Sequence, residues 1–134
     1  MLENVYYGIP PEDPPKIGPP TKDERKARLR DIIDGEGDTF TYRYDFGDCW
    51  DHGLEVEKMF APQEGKCPPA CIAGARACPP EDCGGTMGYE RLLESLRDPE
   101  HPEHERLLEW VGGSFDPEEF DIAEVKRKLA VFRQ

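Results

Sequence analysis

The stretch DTFTYRYDF, residues 38 to 46, alternates polar and apolar side chains without a break. Successive side chains of a strand point to opposite faces, so a period of two over this length fits a strand and not a helix. Phe40, Tyr42, Tyr44 and Phe46 fall on one face, and Thr39, Thr41, Arg43 and Asp45 on the other. A second alternating run, GLEVEKMF (53 to 60), opposes Leu54, Val56, Lys58 and Phe60 to Glu55, Glu57 and Met59. With GDCWDH (47 to 52) as a loop or bulge between them, the two runs predict an antiparallel hairpin with strands at 39–46 and 53–60.

The rest of the chain reads around that hairpin. Val5 to Tyr7 are strand-like, and six prolines between 10 and 20 hold an extended connector. TKDERKARLRDII (21 to 33) reads as a short helix with Thr21 as N-cap and Ala27, Leu29, Ile32 and Ile33 inward; a strand through Ala27 and Leu29 followed by one turn is the alternative. Three helices are predicted downstream. The first runs from Tyr89 to Arg97 with Leu92, Leu93 and Leu96 inward, and the second opens at Pro102, carries Leu107, Leu108, Trp110 and Val111, and stops at Gly112-Gly113. The third is capped by Asp121, with Glu124 three residues on, and turns Val125, Leu129 and Phe132 inward. DPEEF (116 to 120) should add a helical turn. The fold class is therefore α+β, an antiparallel β-sheet with a central hairpin packed against C-terminal α-helices. A chain of 134 residues supplies one core, so residues 1–134 are expected to form a single domain.

Charge narrows the partners. The net charge is −12, from 29 acidic against 17 basic residues, and between Glu94 and Glu124 eleven acids face two bases. Neutralising phosphates with Lys and Arg supplies most non-specific nucleic-acid affinity, so nucleic acid is disfavoured as a partner. The basic runs KDERKARLR (22 to 30) and KRK (126 to 128) read as solvated helix surface. No apolar run approaches the roughly 18 residues a membrane span requires, and no cleavable leader is evident, so a soluble cytoplasmic protein without membrane contact is expected.

Cysteine spacing raises a metal question. Cys67, Cys71, Cys78 and Cys83 lie within a segment that also holds four prolines and three glycines. Four thiolates could hold a zinc ion tetrahedrally, with His52 as the nearest substitute if Cys67 is not a ligand. Paired CxxC hooks are absent, and free thiols acting as small buried hydrophobes are the competing reading. In PPEDCGG (79 to 85) the prolines stiffen the approach, the glycines allow positive φ, and Glu81 and Asp82 sit just before a helix N-terminus, where carboxylates are favourable.

DFGDCWDH (45 to 52) is the densest functional-looking stretch. Asp48, Trp50 and His52 share one parity, yet in an extended strand Asp48 and His52 would stand about 13 Å apart at roughly 3.3 Å per residue. A site using both needs the loop or bulge. Nucleophilic candidates are poor: Ser95 lies in a leucine-rich helix, Ser114 follows a glycine pair, no G-x-S-x-G elbow exists, and nothing pairs Cys49 with His52 in space.

Taken together, YDFGDCWDH, CPPEDCGG, HPEH and SFDPEEFD, in that order over about Tyr7 to Leu129, resemble the plasmid pRiA4b ORF-3-like family. Some members of that family are carried by insertion elements and labelled as resolvases. The resemblance implies no catalytic residue, and neither a serine nucleophile with supporting arginines nor a basic DNA-reading helix supports resolvase activity here. It also implies nothing for four thiols at this spacing, which leaves the cysteine segment mainly a shaped loop supporting the hairpin. Longer members carry a strand-and-helix portion ahead of the matching region; the chain is expected to lack it and to present an open strand edge that a second copy or another protein would complete.

These readings give a non-enzymatic, acidic protein-interaction module associated with plasmids or mobile elements, with a protein partner or self-association. Its binding surface is expected at Asp45, Asp48, Trp50, His52, Glu81 and Asp82. The first rival is a metal-dependent hydrolase or nuclease using Asp48, His52, Glu81 and Asp82; the second is a structural zinc module built on Cys67, Cys71, Cys78 and Cys83.

Overall fold

The computed structural model describes residues 5–9, 21–61, 64–65 and 68–133. The chain divides into two compact units: Met1–Tyr42 with Gly53–Phe60, and Arg43–His52 with Ala61–Gln134.

In the first unit, β1 (Tyr6–Gly8) pairs in parallel with β2 (Thr21–Asp23), placing Tyr6 opposite Thr21 and Gly8 opposite Asp23. The helix predicted from Thr21 does not form. The Asp23 carboxylate accepts from the Arg25 backbone N–H at 3.1 Å and from the Arg25 guanidinium at 2.9 Å, closing a single 3-10 turn over Glu24–Lys26. Ala27 and Arg28 are then extended, and a second 3-10 turn covers Leu29–Asp31, where the Asp31 carboxylate accepts from the Arg28 N–H. Local side-chain acceptors compete with the helical ladder and win here. The alternative of extended chain and one turn is the closer description. Leu29, expected inward, is exposed, while Ala27, Ile32 and Ile33 are partly covered.

The predicted hairpin is present as the antiparallel pair β3 (Thr39–Tyr44) and β4 (Trp50–Glu55). Two further backbone bonds, Gly37 N–H to Val56 O and Val56 N–H to Asp38 O, extend the pairing at its open end. Both strands are displaced from their predicted bounds, and the cause lies in the turn. Asp45 takes the left-handed conformation (φ 58°), its carboxylate accepts from the N–H groups of Gly47 and Asp48, and its carbonyl accepts from the Cys49 N–H at 2.6 Å. The side chain imitates a backbone turn, as aspartate can, and ends β3 two residues early. Strand pairing resumes at Trp50 instead of Gly53. Phe46 therefore stands 76% exposed at the tip, and Phe60, beyond β4, is exposed as well.

The second unit holds the helices. α1 (Gly85–Arg97) starts four residues before the predicted Tyr89 and buries Leu92, which is 2% exposed, and Ser95, which is fully covered. The Ser95 hydroxyl donates to the Arg91 carbonyl one turn back, which satisfies it without any partner outside the helix. α2 (His104–Trp110) begins after a turn at Pro102, and Gly112 and Gly113 at φ 87° and 96° end it, with Gly113 N–H reaching back to Leu108 O. Positive φ at both positions is the helix stop that their sequence signals. α3 (Ile122–Leu129) is capped as expected: the Asp121 carboxylate accepts from Ala123 N–H at 2.8 Å and Glu124 N–H at 3.2 Å. Phe132, expected inward, lies exposed in the 3-10 turn that follows. DPEEF makes a turn, Glu119 N–H bonding Asp116 O, and Asp116 also accepts from Glu118 N–H. Among the described residues no helix is long and apolar enough to cross a membrane.

Candidate functional site

Within the second unit, the hairpin tip and the PPEDCGG loop are tied together by the residues that the sequence singles out. The Asp48 carboxylate accepts from the Gly84 N–H at 3.0 Å, and Glu81 accepts from the Tyr44 hydroxyl at 3.2 Å. Gly85, at φ 68°, lies so close to the hairpin that a Cβ there would sit 2.5 Å from the Asp48 carbonyl oxygen. A glycine is required at that approach. One turn into α1, a Cβ on Gly88 would collide with the Cys83 carbonyl, so the loop and the first turn are pressed together.

An aromatic chain backs this junction. Trp50 of β4 meets Tyr89 of α1 edge-on at 6.4 Å, and Tyr89 meets Phe115 at 6.2 Å with ring planes 89° apart. Edge-to-face pairs at such distances contribute about 0.5–1.5 kcal/mol beyond area burial. Burial also pushes the Tyr89 phenol up from its ordinary value. Thus Trp50, one of the expected surface residues, is partly buried and acts in packing.

The remaining expected residues divide by task. Asp45, Asp48 and Glu81 accept bonds that shape or join the loops. His52 is exposed on β4, and its Nδ1 lies 3.2 Å from the Trp50 carbonyl, so that nitrogen carries the proton. Asp82 is exposed and left-handed, φ 57°. Beside them, Asp51 and Arg43 form a two-bond ion pair across the hairpin at 2.7 and 2.8 Å, which holds the Asp51 carboxyl below its ordinary value and the Arg43 guanidinium above its own.

Among the described residues no group of three or more His, Cys, Asp or Glu side chains is placed to hold a metal ion. Asp48, His52, Glu81 and Asp82 therefore do not converge as a hydrolytic centre requires. Of the four thiols proposed for zinc, Cys67 lies outside the described residues. Cys71 and Cys83 point their sulfurs at the local carbonyls of Ala73 (3.3 Å) and Gly85 (3.9 Å), and Cys78 is exposed. Burial, with Asp48 nearby, pushes the Cys83 thiol up from its ordinary value.

The HPEH motif resolves into a turn. His101 Nδ1 accepts from the Glu103 N–H at 3.1 Å, and His104 Nδ1 donates to the Ser95 carbonyl at 2.8 Å, fixing α2 to the end of α1. Two imidazoles held by backbone on opposite tautomers are positioned as struts.

A family model described as plasmid pRiA4b ORF-3-like protein matches residues 1–124. The chain belongs to this family. It is similar to an uncharacterized protein of Sinorhizobium fredii, with 38% identity over 84% of the chain. A solved structure, a protein of unknown function from Methanosarcina mazei, superposes with a TM-score of 0.70 at 45% identity over 81% of the chain. The chain spans 57% of the first relative's length and 61% of the second's. The pRiA4b ORF-3-like motif residues Asp45, Asp48 and Glu81 thus act as loop-building groups in this chain.

Asp82 and Cys83 of PPEDCGG and Glu103 of HPEH also line a cavity beside α1 and α2, which no sequence spacing signals. Trp110, which lines it, reads in sequence only as an apolar residue of the second helix.

Proposed function

We propose that the chain is a non-enzymatic protein-interaction module whose contact surface is the tip of the β3–β4 hairpin. The observation that carries this reading is the division of labour at the tip: Asp45 and Asp48 fix the loop, and Phe46 projects from it. A rigidly held aromatic loses little conformational freedom on docking, and aromatic anchors dominate binding energy at protein interfaces. Tyr44 and His52 flank the tip on the two strands, and the partner chemistry is an apolar pocket with donors around its rim, suited to the acidic surroundings. The plasmid in the family's description supports an association with mobile DNA, while a net charge of −12 argues that the association runs through protein.

Cross-linking mass spectrometry in host extract tests this with the wild-type chain and Phe46→Ser. A defined protein cross-linked at residues 44–52 and lost in the variant is expected. Identical cross-link maps for the two chains would remove the hairpin tip from the interface.

A further inference from the structure

A cavity of about 290 Å³ opens in the second unit between the PPEDCGG loop, α1 and α2. Its apolar lining is Leu92, Leu107 and the indole of Trp110, which is 47% exposed. Small-molecule sites run from roughly 300 to 1,000 Å³, so this one falls just below that range and suits a single small metabolite rather than a peptide.

Four charged side chains also line it. Glu103 and Arg106 form an ion pair, and the bond to Arg106 holds the Glu103 carboxyl below its ordinary value. That pair is bonded within itself, and the nearby Arg91 charge adds to the lowering of Glu103. The Arg91 guanidinium and the Asp82 carboxylate, by contrast, make no hydrogen bond or ion pair with any described residue, nor with each other. One cavity thus offers a cation and an anion that lack hydrogen-bonded partners among the described residues, with the Arg91 charge also acting on Glu103 from a distance, and an apolar floor. A ligand bearing a single negative charge would satisfy Arg91 and face Asp82 unfavourably; a cation would do the reverse. Only a ligand with both charges on one small body uses both groups and the floor.

We propose that this cavity binds a free α-amino acid with an apolar side chain, Arg91 taking the carboxylate, Asp82 the ammonium, and Leu92, Leu107 and Trp110 the side chain. The site uses none of the hairpin-tip residues and stands or falls separately from the interaction surface proposed above.

Isothermal titration of the full chain with L-phenylalanine tests it, alongside L-phenylalaninamide, which lacks the carboxylate, and 3-phenylpropionate, which lacks the ammonium. L-serine checks the apolar floor. Saturable binding of L-phenylalanine is expected, weaker by about tenfold or more for each of the other three, because bonds to charged groups contribute about 1.5–3 kcal/mol and 1.4 kcal/mol is a factor of ten. Arg91→Gln and Asp82→Asn should each weaken L-phenylalanine by about the same factor with unchanged circular dichroism. The absence of saturable heat with L-phenylalanine overturns the proposal. So does equal binding of 3-phenylpropionate or indifference to Asp82→Asn, which would describe a plain anion site, and so does equal binding of the amide or of L-serine.

Discussion

The two units are held by different means. In the first, most side-chain acceptors bond to backbone close in sequence: Asp38 accepts from the N–H groups of Asp34 and Gly35 and Asp23 from Arg25, with one longer bond from the Met59 N–H to Glu36. Several of its larger apolar side chains, including Val5, Tyr6, Ile9, Leu29 and Met59, are exposed, others such as Ile32, Ile33 and Phe40 are partly covered, and none among the described residues is fully buried. The second unit has an interior at Leu92 and Ser95, an aromatic chain, and long-range bonds such as Asp48 to Gly84. Local bonds define a path for the backbone, whereas burial of apolar surface drives cooperative stability. The comparison teaches that the loops of the second unit hold their shape because a packed helix stands behind them.

Leu92→Ala should have the largest effect. Replacing a buried leucine removes transfer energy and leaves a cavity, costing about 2–5 kcal/mol. Trp50 and Trp110 both belong to the second unit, so denaturant unfolding followed by tryptophan fluorescence reads it directly. A loss under about 1 kcal/mol, far below the usual cavity cost, would break the contrast between the units.

Gly88→Ala comes next. The added methyl meets the Cys83 backbone, which cannot swing away as a side chain could, and overpacking of this kind costs about 1–3 kcal/mol. The same fluorescence transition should shift to lower denaturant. An unshifted midpoint would show that the loop is not pressed against α1.

Asp48→Asn keeps the shape and removes the charge from the bond to Gly84, for an expected loss of about 1 kcal/mol. Amide exchange at Gly84 should quicken, while amides in the middle of α1 keep their protection. Uniform quickening along α1 would instead make this bond part of the helix's own stability.

Acid should separate the units more gently. Backbone N–H groups of Asp34 and Gly35 hold Asp38 below its ordinary 3.8. A depressed carboxyl contributes stability above its unfolded value and loses it as pH falls through the folded one. Below about pH 4, protection at the Asp34 and Gly35 amides should therefore fade while that of Leu92 and Ser95 persists. Simultaneous loss would contradict the contrast.

Phe46→Ser should leave stability within about 0.5 kcal/mol, the ordinary range for a surface change. A larger thermal shift would mean that Phe46 supports the fold and would undercut its assignment as an interaction anchor.

Particular elements show how far reading the sequence reached. The Asp121 cap, the Gly112-Gly113 stop and the extended chain of β3 were legible because each signal and its consequence lie within a few residues of one another, whereas Tyr42 and Tyr44 on its apolar face remain exposed. The turn at Asp45 was misplaced because aspartate's competing use, as a strand residue or as a turn mimic, is settled by geometry and not by period. The candidate residues stand out in the sequence as a group, and the structure gives them separate tasks: Trp50 packs on Tyr89, and Asp48 and Glu81 join loops.

By itself, then, the sequence determined the α+β class, the hairpin's existence, the stop after α2, the cap of α3 and the family, all of which rest on local period, capping and motif order. Tertiary structure decided which apolar residues are covered, so that Leu92 is buried while Phe46, Phe60 and Phe132 are not. It also decided that Asp48 meets Gly84 across 36 positions and that Arg91, Asp82 and Trp110 border one cavity. Side chains of equal hydrophobicity differ only in what folds over them, and a pairing across such a separation has no local signature to read.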